Sequence, residues 1–157
     1  MNLELELAAM RWLWLDKNCH YVLRERSPRP IMGLPDVLGV TAARYLTEIE
    51  IKRSVGDFRA DSDKPCRRRR NDFIKRMPKF FYYLIPPGLV EKLRPEVPEW
   101  AGLLTLNENG GVSVLIDAPA NPDSERLSLR EAVKLARAIT NYCMSVEQMN
   151  YNLRTIK

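Results

Sequence analysis

Pro35-Asp36-Val37-Leu38-Gly39-Val40 and, after a short break, Tyr45-Leu46-Thr47-Glu48-Ile49-Glu50-Ile51-Lys52 read as two neighbouring strands joined by a tight turn. The second strand alternates. Thr47, Ile49 and Ile51 point one way, and Glu48, Glu50 and Lys52 the other. Two residues along a strand span roughly 7 Å, and a paired strand lies about 5 Å to the side, so Glu50, Lys52 and Asp36 can meet at one end of a sheet. Two carboxylates and an ammonium converging there are costly to build without a divalent metal or a substrate to bind. The alternative is a solvated sheet face carrying an ordinary ion pair between Glu50 and Lys52. Glu48 shares that face and reads as such a surface residue.

Working outward from this pair, Leu3, Leu7, Met10 and Trp14 share one helical face with Leu13 beside them, which predicts an amphipathic helix with Glu6 at the edge of its apolar stripe. Trp12 and Trp14 both read as packing residues. Tyr21 to Arg26 predicts a first strand, ended by Ser27-Pro28-Arg29-Pro30. Downstream of Lys52, Ser54 to Asp61 predicts a turn and a helix start with Asp57 as N-cap. Arg67 to Met77 predicts a basic helix that stops before Pro78. Phe80 to Ile85 is apolar at nearly every position, the mark of a strand covered on both faces, so its aromatics belong to the core and not to a base-stacking platform. Leu89 to Leu93 is a short helix at most. Trp100 to Leu106 and Val112 to Ile116 predict two strands around the loop Asn107-Glu108-Asn109-Gly110-Gly111. Ser128-Leu129-Arg130-Glu131 is a capping box opening a helix to about Met144, and Ser145-Val146-Glu147-Gln148 predicts a further short one. The expectation is one α/β domain over 1–157, a mixed central β-sheet flanked by helices, with 101–157 a β-hairpin plus C-terminal helix extension.

Composition narrows the function. The chain of 157 residues carries 45% hydrophobic residues, enough for a real core, and no run of about 18 apolar residues to cross a membrane. Three scattered cysteines, Cys19, Cys66 and Cys143, and an N-terminus acidic where a secretory signal is basic predict reduced thiols in a cytoplasmic protein. The net charge is +5, and its placement is uneven. Arg59, Lys64, Arg67, Arg68, Arg69, Arg70, Lys75, Arg76 and Lys79 face only Asp61, Asp63 and Asp72, so that stretch is +6 and everything else sums to −1. Such a run suits either a polyanionic partner or a solvated loop. No glycine-rich phosphate loop or dinucleotide fingerprint occurs. His20 is the only histidine, which removes histidine-dependent triads and most zinc hydrolases. Asp57, Asp61 and Asp63 lack the offsets of a calcium loop and read as helix capping and local charge balance.

Pro35-Asp36, then thirteen intervening residues, then Glu50-Ile51-Lys52 resembles the PD-(D/E)XK nuclease superfamily. The order of helix, strands bearing the motif, helix and apolar strand is similar to its restriction-endonuclease-like core. Glu50-Ile51-Lys52-Arg53-Ser54, Asp57-Phe58-Arg59-Ala60-Asp61 and Phe81-Tyr82-Tyr83-Leu84-Ile85-Pro86 resemble its small branch of bacterial DNA-repair and phage-type nucleases. The resemblance runs from about Leu3 to Pro87. It implies a Mg²⁺-dependent deoxyribonuclease, Mn²⁺ being a possible substitute. Asp36, Glu50 and the Ile51 carbonyl would be metal ligands, and Lys52 would orient or activate the attacking water and offset phosphate charge. Many members add an acid from the first helix, for which Glu6 is the candidate and Glu4 the next. DNA contacts are expected from Lys64, Arg67, Arg68, Arg69, Arg70 and Lys75, and a homodimer or a protein partner through the C-terminal helices. The competing expectations are a catalytically inactive nucleic-acid-binding protein and an interaction module of a larger phage or defence assembly on the same fold.

Overall fold

The computed structural model describes residues 3–24, 35–62 and 76–155. In chain order these form α1 (Leu3–Leu15), β1 (Cys19–Arg24), β2 (Val37–Thr41), β3 (Leu46–Ile51), α2 (Val55–Ser62), β4 (Phe80–Ile85), α3 (Val90–Leu93), β5 (Gly102–Leu106), β6 (Val112–Ile116) and α4 (Leu129–Thr155). The architecture is α/β, with six strands side by side in sequence order in one mixed sheet flanked by helices. β1, β2 and β3 form an antiparallel meander; β4 joins β3 in parallel, β5 joins β4 in parallel, and β6 returns antiparallel. Parallel neighbours need a crossover, and α2 and α3 lie in the two crossovers. Among the described residues no helix is long and apolar enough to cross a membrane.

Register assigns the faces, because residues opposite each other on paired strands point to the same side. Val37, Ile49, Tyr82 and Gly102 fall in one row; Leu38, Glu48 and Phe81 fall in a row on the opposite face. α1 packs on the first face through Leu5, Ala9, Trp12 and Leu13, with the Trp12 ring edge-on to Tyr82 at 5.2 Å. Gly102 is required there: a Cβ would stand 2.3 Å from the Tyr82 ring and 2.7 Å from the Ala118 nitrogen. On the second face, Leu127 and Leu135 pack on Leu23, Leu38, Val40 and Leu46, so α4 covers β1 and β2. Phe58 of α2 packs on Tyr83 with Phe81, Ile85 and Leu103, covering β4 and β5. β3 carries its acidic residues in the lane between these two coverings.

Several local expectations change. The stripe Leu3, Leu7 and Trp14 faces outward, with Trp14 56% exposed, while Leu5, Ala9, Trp12 and Leu13 are buried. α1 is apolar on more than one side, and the side buried is the one whose Trp12 meets the Tyr82 ring. At α2 the cap is Ser54: its Oγ accepts the Asp57 N–H at 3.1 Å, and Asp57 returns a bond by accepting the Arg53 N–H at 3.2 Å. The Ser128–Glu131 capping box forms as read, and α4 then runs without a break through Ser145 to Thr155. Ser145 has good helix-forming neighbours on both sides and no glycine or proline to stop the helix before it. Of the expected basic helix, all but Arg76 and Met77 lies outside the described residues, and those two are not helical.

Candidate functional site

The lane on the second face is built from the ends of β2 and β3. Val37 pairs with Ile49, and one step further the same register sets Asp36 beside Glu50. β2 begins only at Val37, and the Asp36 side chain stands in for the backbone ladder: Oδ2 accepts the Ile51 N–H at 2.6 Å. On the other side the ladder to β4 continues past Ile51, the Lys52 N–H donating to the Leu84 carbonyl at 3.0 Å. The backbone of Glu50-Ile51-Lys52 is thus fixed from both flanks.

Lys52 is buried, and its ammonium lies between two carboxylates. Nζ is 3.3 Å from Glu50 Oε2 and 3.1 Å from Asp61 Oδ1. The Lys52 and Asp61 side chains are 8% and 5% exposed and Glu50 is 23% exposed, so Glu50 is the member that meets solvent. A buried ammonium persists only when its partners are close and well directed. Asp61 is brought in by α2. The Ser54 cap starts the helix, Phe58 turns inward onto Tyr83 at 4.7 Å between ring centroids, and Asp61 follows three residues later on that face. Glu48 is buried as well, in the row with Leu38 and Phe81. The face that the alternative reading leaves solvated is therefore the floor of a covered lane holding Glu48, Glu50 and Lys52.

The other expected site residues separate into two groups. Glu6 is buried in α1, and its Oε2 is 3.1 Å from Arg24 Nη1 on β1. Lys64, Arg67, Arg68, Arg69, Arg70 and Lys75 lie outside the described residues. Three basic residues of the same run are described. Arg59 forms a two-pronged pair with Glu96 at 2.6 and 2.9 Å. Arg76 bonds Glu131 at 3.0 Å and also Glu125. Lys79 lies 4.5 Å above the Tyr45 ring. These three are engaged within the fold and were counted in the sequence as part of the basic surplus.

Asp61 and Glu48 are the site residues that sequence reasoning missed. Asp61 had a signal: the spacing Ser54 cap, Phe58, Asp61 puts it on the buried side of the helix once Phe58 is assigned to the core. Glu48 had the strict alternation of β3 and nothing to say that its face is covered. The thiol of Cys19 is no rival centre, since burial pushes it up to about 11, only partly offset by Lys17, and keeps it protonated at neutral pH. A cavity of about 320 Å³ between Phe81, Trp100 and Pro119–Pro122 opens at the start of β4, the end away from Lys52.

As a metal centre, the lane offers oxygen donors of the hard type. Asp36 and Glu50 are adjacent in register, the second oxygen of Asp36 takes no hydrogen bond among the described residues, and Glu50 is open to solvent. Among the described residues no three His, Cys, Asp or Glu side chains are grouped to hold a metal. A pair of carboxylates is nevertheless within the usual protein contribution for Mg²⁺, which keeps several waters.

The chain matches no family model and no curated protein. A solved structure of a protein of unknown function from Silicibacter pomeroyi is similar in fold, with a TM-score of 0.55 at 19% identity over 97% of this chain and 88% of that one. At that identity the likeness is one of architecture, and its coverage carries the shared architecture past Pro87 into the β5–β6 hairpin and the last helix.

Proposed function

We propose that this chain is a metal-dependent deoxyribonuclease with a restriction-endonuclease-like core, acting on DNA in the cytoplasm in repair or phage-related processes. The observation that carries the reading is the register of the motif: one step beyond the Val37–Ile49 pair Asp36 falls opposite Glu50, and Lys52 follows β3 with its ammonium 3.3 Å from Glu50. Asp36, Glu50 and the Ile51 carbonyl would hold Mg²⁺ or Mn²⁺, which when bound stabilises phosphate charge and makes water more acidic. Lys52 sits where its charge offsets the negative charge that grows as water adds to phosphorus and the P–O bond to the leaving oxygen breaks. Glu6 is committed to Arg24 and is left out of the ligand set. DNA contacts are assigned to Lys64, Arg67–Arg70 and Lys75. α4 exposes Leu129, Val133 and Met144 along one side, where a second copy or a protein partner would dock.

One observation favours a second reading. Asp61 holds Lys52 from a buried position, as in a structural ion pair of a catalytically inactive nucleic-acid-binding protein. Single-turnover cleavage of plasmid, single-stranded and branched DNA separates the two. The nuclease cleaves in Mg²⁺ and binds without turnover in Ca²⁺. Glu50→Gln loses both metal response and cleavage, and Lys52→Ala keeps DNA binding while cleaving at least about 100-fold more slowly. Wild-type cleavage by Lys52→Ala would discard the motif assignment.

A further inference from the structure

We propose that Asp61 is a positioning residue for Lys52, holding the ammonium so that Glu50 is available to a divalent cation; this rests on the nuclease reading above. Lys52 touches two carboxylates that differ in kind. Glu50 lies two residues earlier, near the end of β3, and is partly exposed, whereas Asp61 comes from α2 and is almost wholly buried. A cation arriving at Glu50 competes with the ammonium for the same carboxylate, since two positive charges on one acid repel. With Glu50 as its sole partner, Lys52 would either block the cation or be displaced from the end of β3. Asp61, at 3.1 Å, provides an anchor the cation does not touch.

That anchor is itself rigid. α2 is capped by Ser54, pinned by Phe58 against Tyr83, and followed one turn later by Asp61. Asp61 holds the Lys52 ammonium, while the Lys52 N–H, bonded to the Leu84 carbonyl, separately fixes its backbone on β4. The consequence is specific. Removing the Asp61 charge should let the ammonium lean onto Glu50 and act as a competitor for metal, besides misplacing it for catalysis.

The test uses the full chain with Asp61→Asn, Asp61→Glu, Lys52→Met and the double variant Lys52→Met/Asp61→Asn. Two quantities are read: the Mn²⁺ concentration giving half the metal-induced rise in Tm, and the single-turnover cleavage rate at saturating metal. Asp61→Asn should raise the metal midpoint about 10-fold and slow cleavage by roughly 10- to 100-fold, with partial recovery in Asp61→Glu. The double variant leaves neither member of the buried pair behind, so it serves even where Asp61→Asn does not fold. It should bind metal at least as tightly as wild type, because the competitor is gone. A folded Asp61→Asn with unchanged midpoint and rate overturns the positioning role and leaves the nuclease reading standing. A double variant whose midpoint rises more than about 3-fold also overturns it, by making Asp61 a ligand in its own right. A wild type with neither cleavage nor a metal-dependent Tm removes the nuclease reading and this inference with it.

Discussion

The carboxylate of Asp36 and the backbone N–H of Ile51 meet at 2.6 Å, one residue before β2 begins and at the last residue of β3. A side chain thereby extends the ladder one step beyond the first residue of β2 and sets the carboxylate at the end of β3, next to Glu50 in register. Asn at position 36 keeps an oxygen for the same N–H and loses only the charge. Millimolar Mg²⁺ should raise the wild-type Tm by about 5 °C through mass action, and that of Asp36→Asn by much less. Equal shifts, read by differential scanning fluorimetry, would place the metal elsewhere.

The basic run makes a different demand. Arg59, Arg76 and Lys79 are engaged inside the fold, so the proposed DNA binding would draw its phosphate contacts from Arg67–Arg70 and their neighbours. Replacing all four arginines with Ala should weaken binding to every DNA sequence alike and reduce the slope of log K against log salt by roughly 3 units. An unchanged slope in fluorescence anisotropy titrations would assign the run to solvent.

Helix α1 allows a comparison within one turn. Trp12 is buried on Tyr82 and Trp14 is exposed. Trp12→Ala should cost about 3–5 kcal/mol in urea unfolding, and Trp14→Ala within about 0.5 kcal/mol. Similar losses at both positions would mean that the exposed side of α1 is covered by something in solution.

A fourth expectation concerns acid. Burial pushes the Glu131 carboxyl up, but the bonds from Ser128 and Arg76 outweigh it and hold the carboxyl below its ordinary value. A depressed carboxylate contributes stability that is present above its unfolded pKa, near about 4, and lost as pH falls through the folded value. The stability gap between wild type and Glu131→Gln should thus be flat from pH 8 to 6 and close on further acidification, and it should narrow in high salt because the pair is partly exposed. A gap that persists at pH 3 would attribute the effect to packing instead of charge.

Most of the sheet was legible because β3 alternates and β4 does not. A strict period of two gave the opposed faces of Ile49 and Glu50, and the unbroken run Phe80 to Ile85 gave a strand with neighbours on both sides. The capping box at Ser128 fixed the start of α4 for a local reason, since its bonds lie within four residues. What stayed hidden depends on distant chain. The outward turn of Leu3, Leu7 and Trp14 follows from Tyr82 claiming Trp12, which no window around α1 contains. Glu48 looked solvated because its cover, α4 and α2, comes from elsewhere in the sequence. Asp61, read from sequence as helix capping and local charge balance, sits between the two cases: its spacing from Phe58 suits the inward side, but its partner Lys52 is evident only with α2 on the sheet.

The strand order also says something about how the chain assembles. β2 and β3 are joined by residues 42–45 alone, whereas β4 must find β3 across everything from Lys52 to Lys79. The entropy lost in closing a loop grows with its length, so the hairpin is the less demanding of the two closures. Asp36 and Glu50 thus meet through a local contact, and the partner strand that completes the floor beneath them depends on a distant one. Charge repulsion between the two acids falls on that first, local contact. Given the proposed metal site, divalent cation present during refolding would act there, on the rate at which the hairpin forms as well as on the stability of the finished protein.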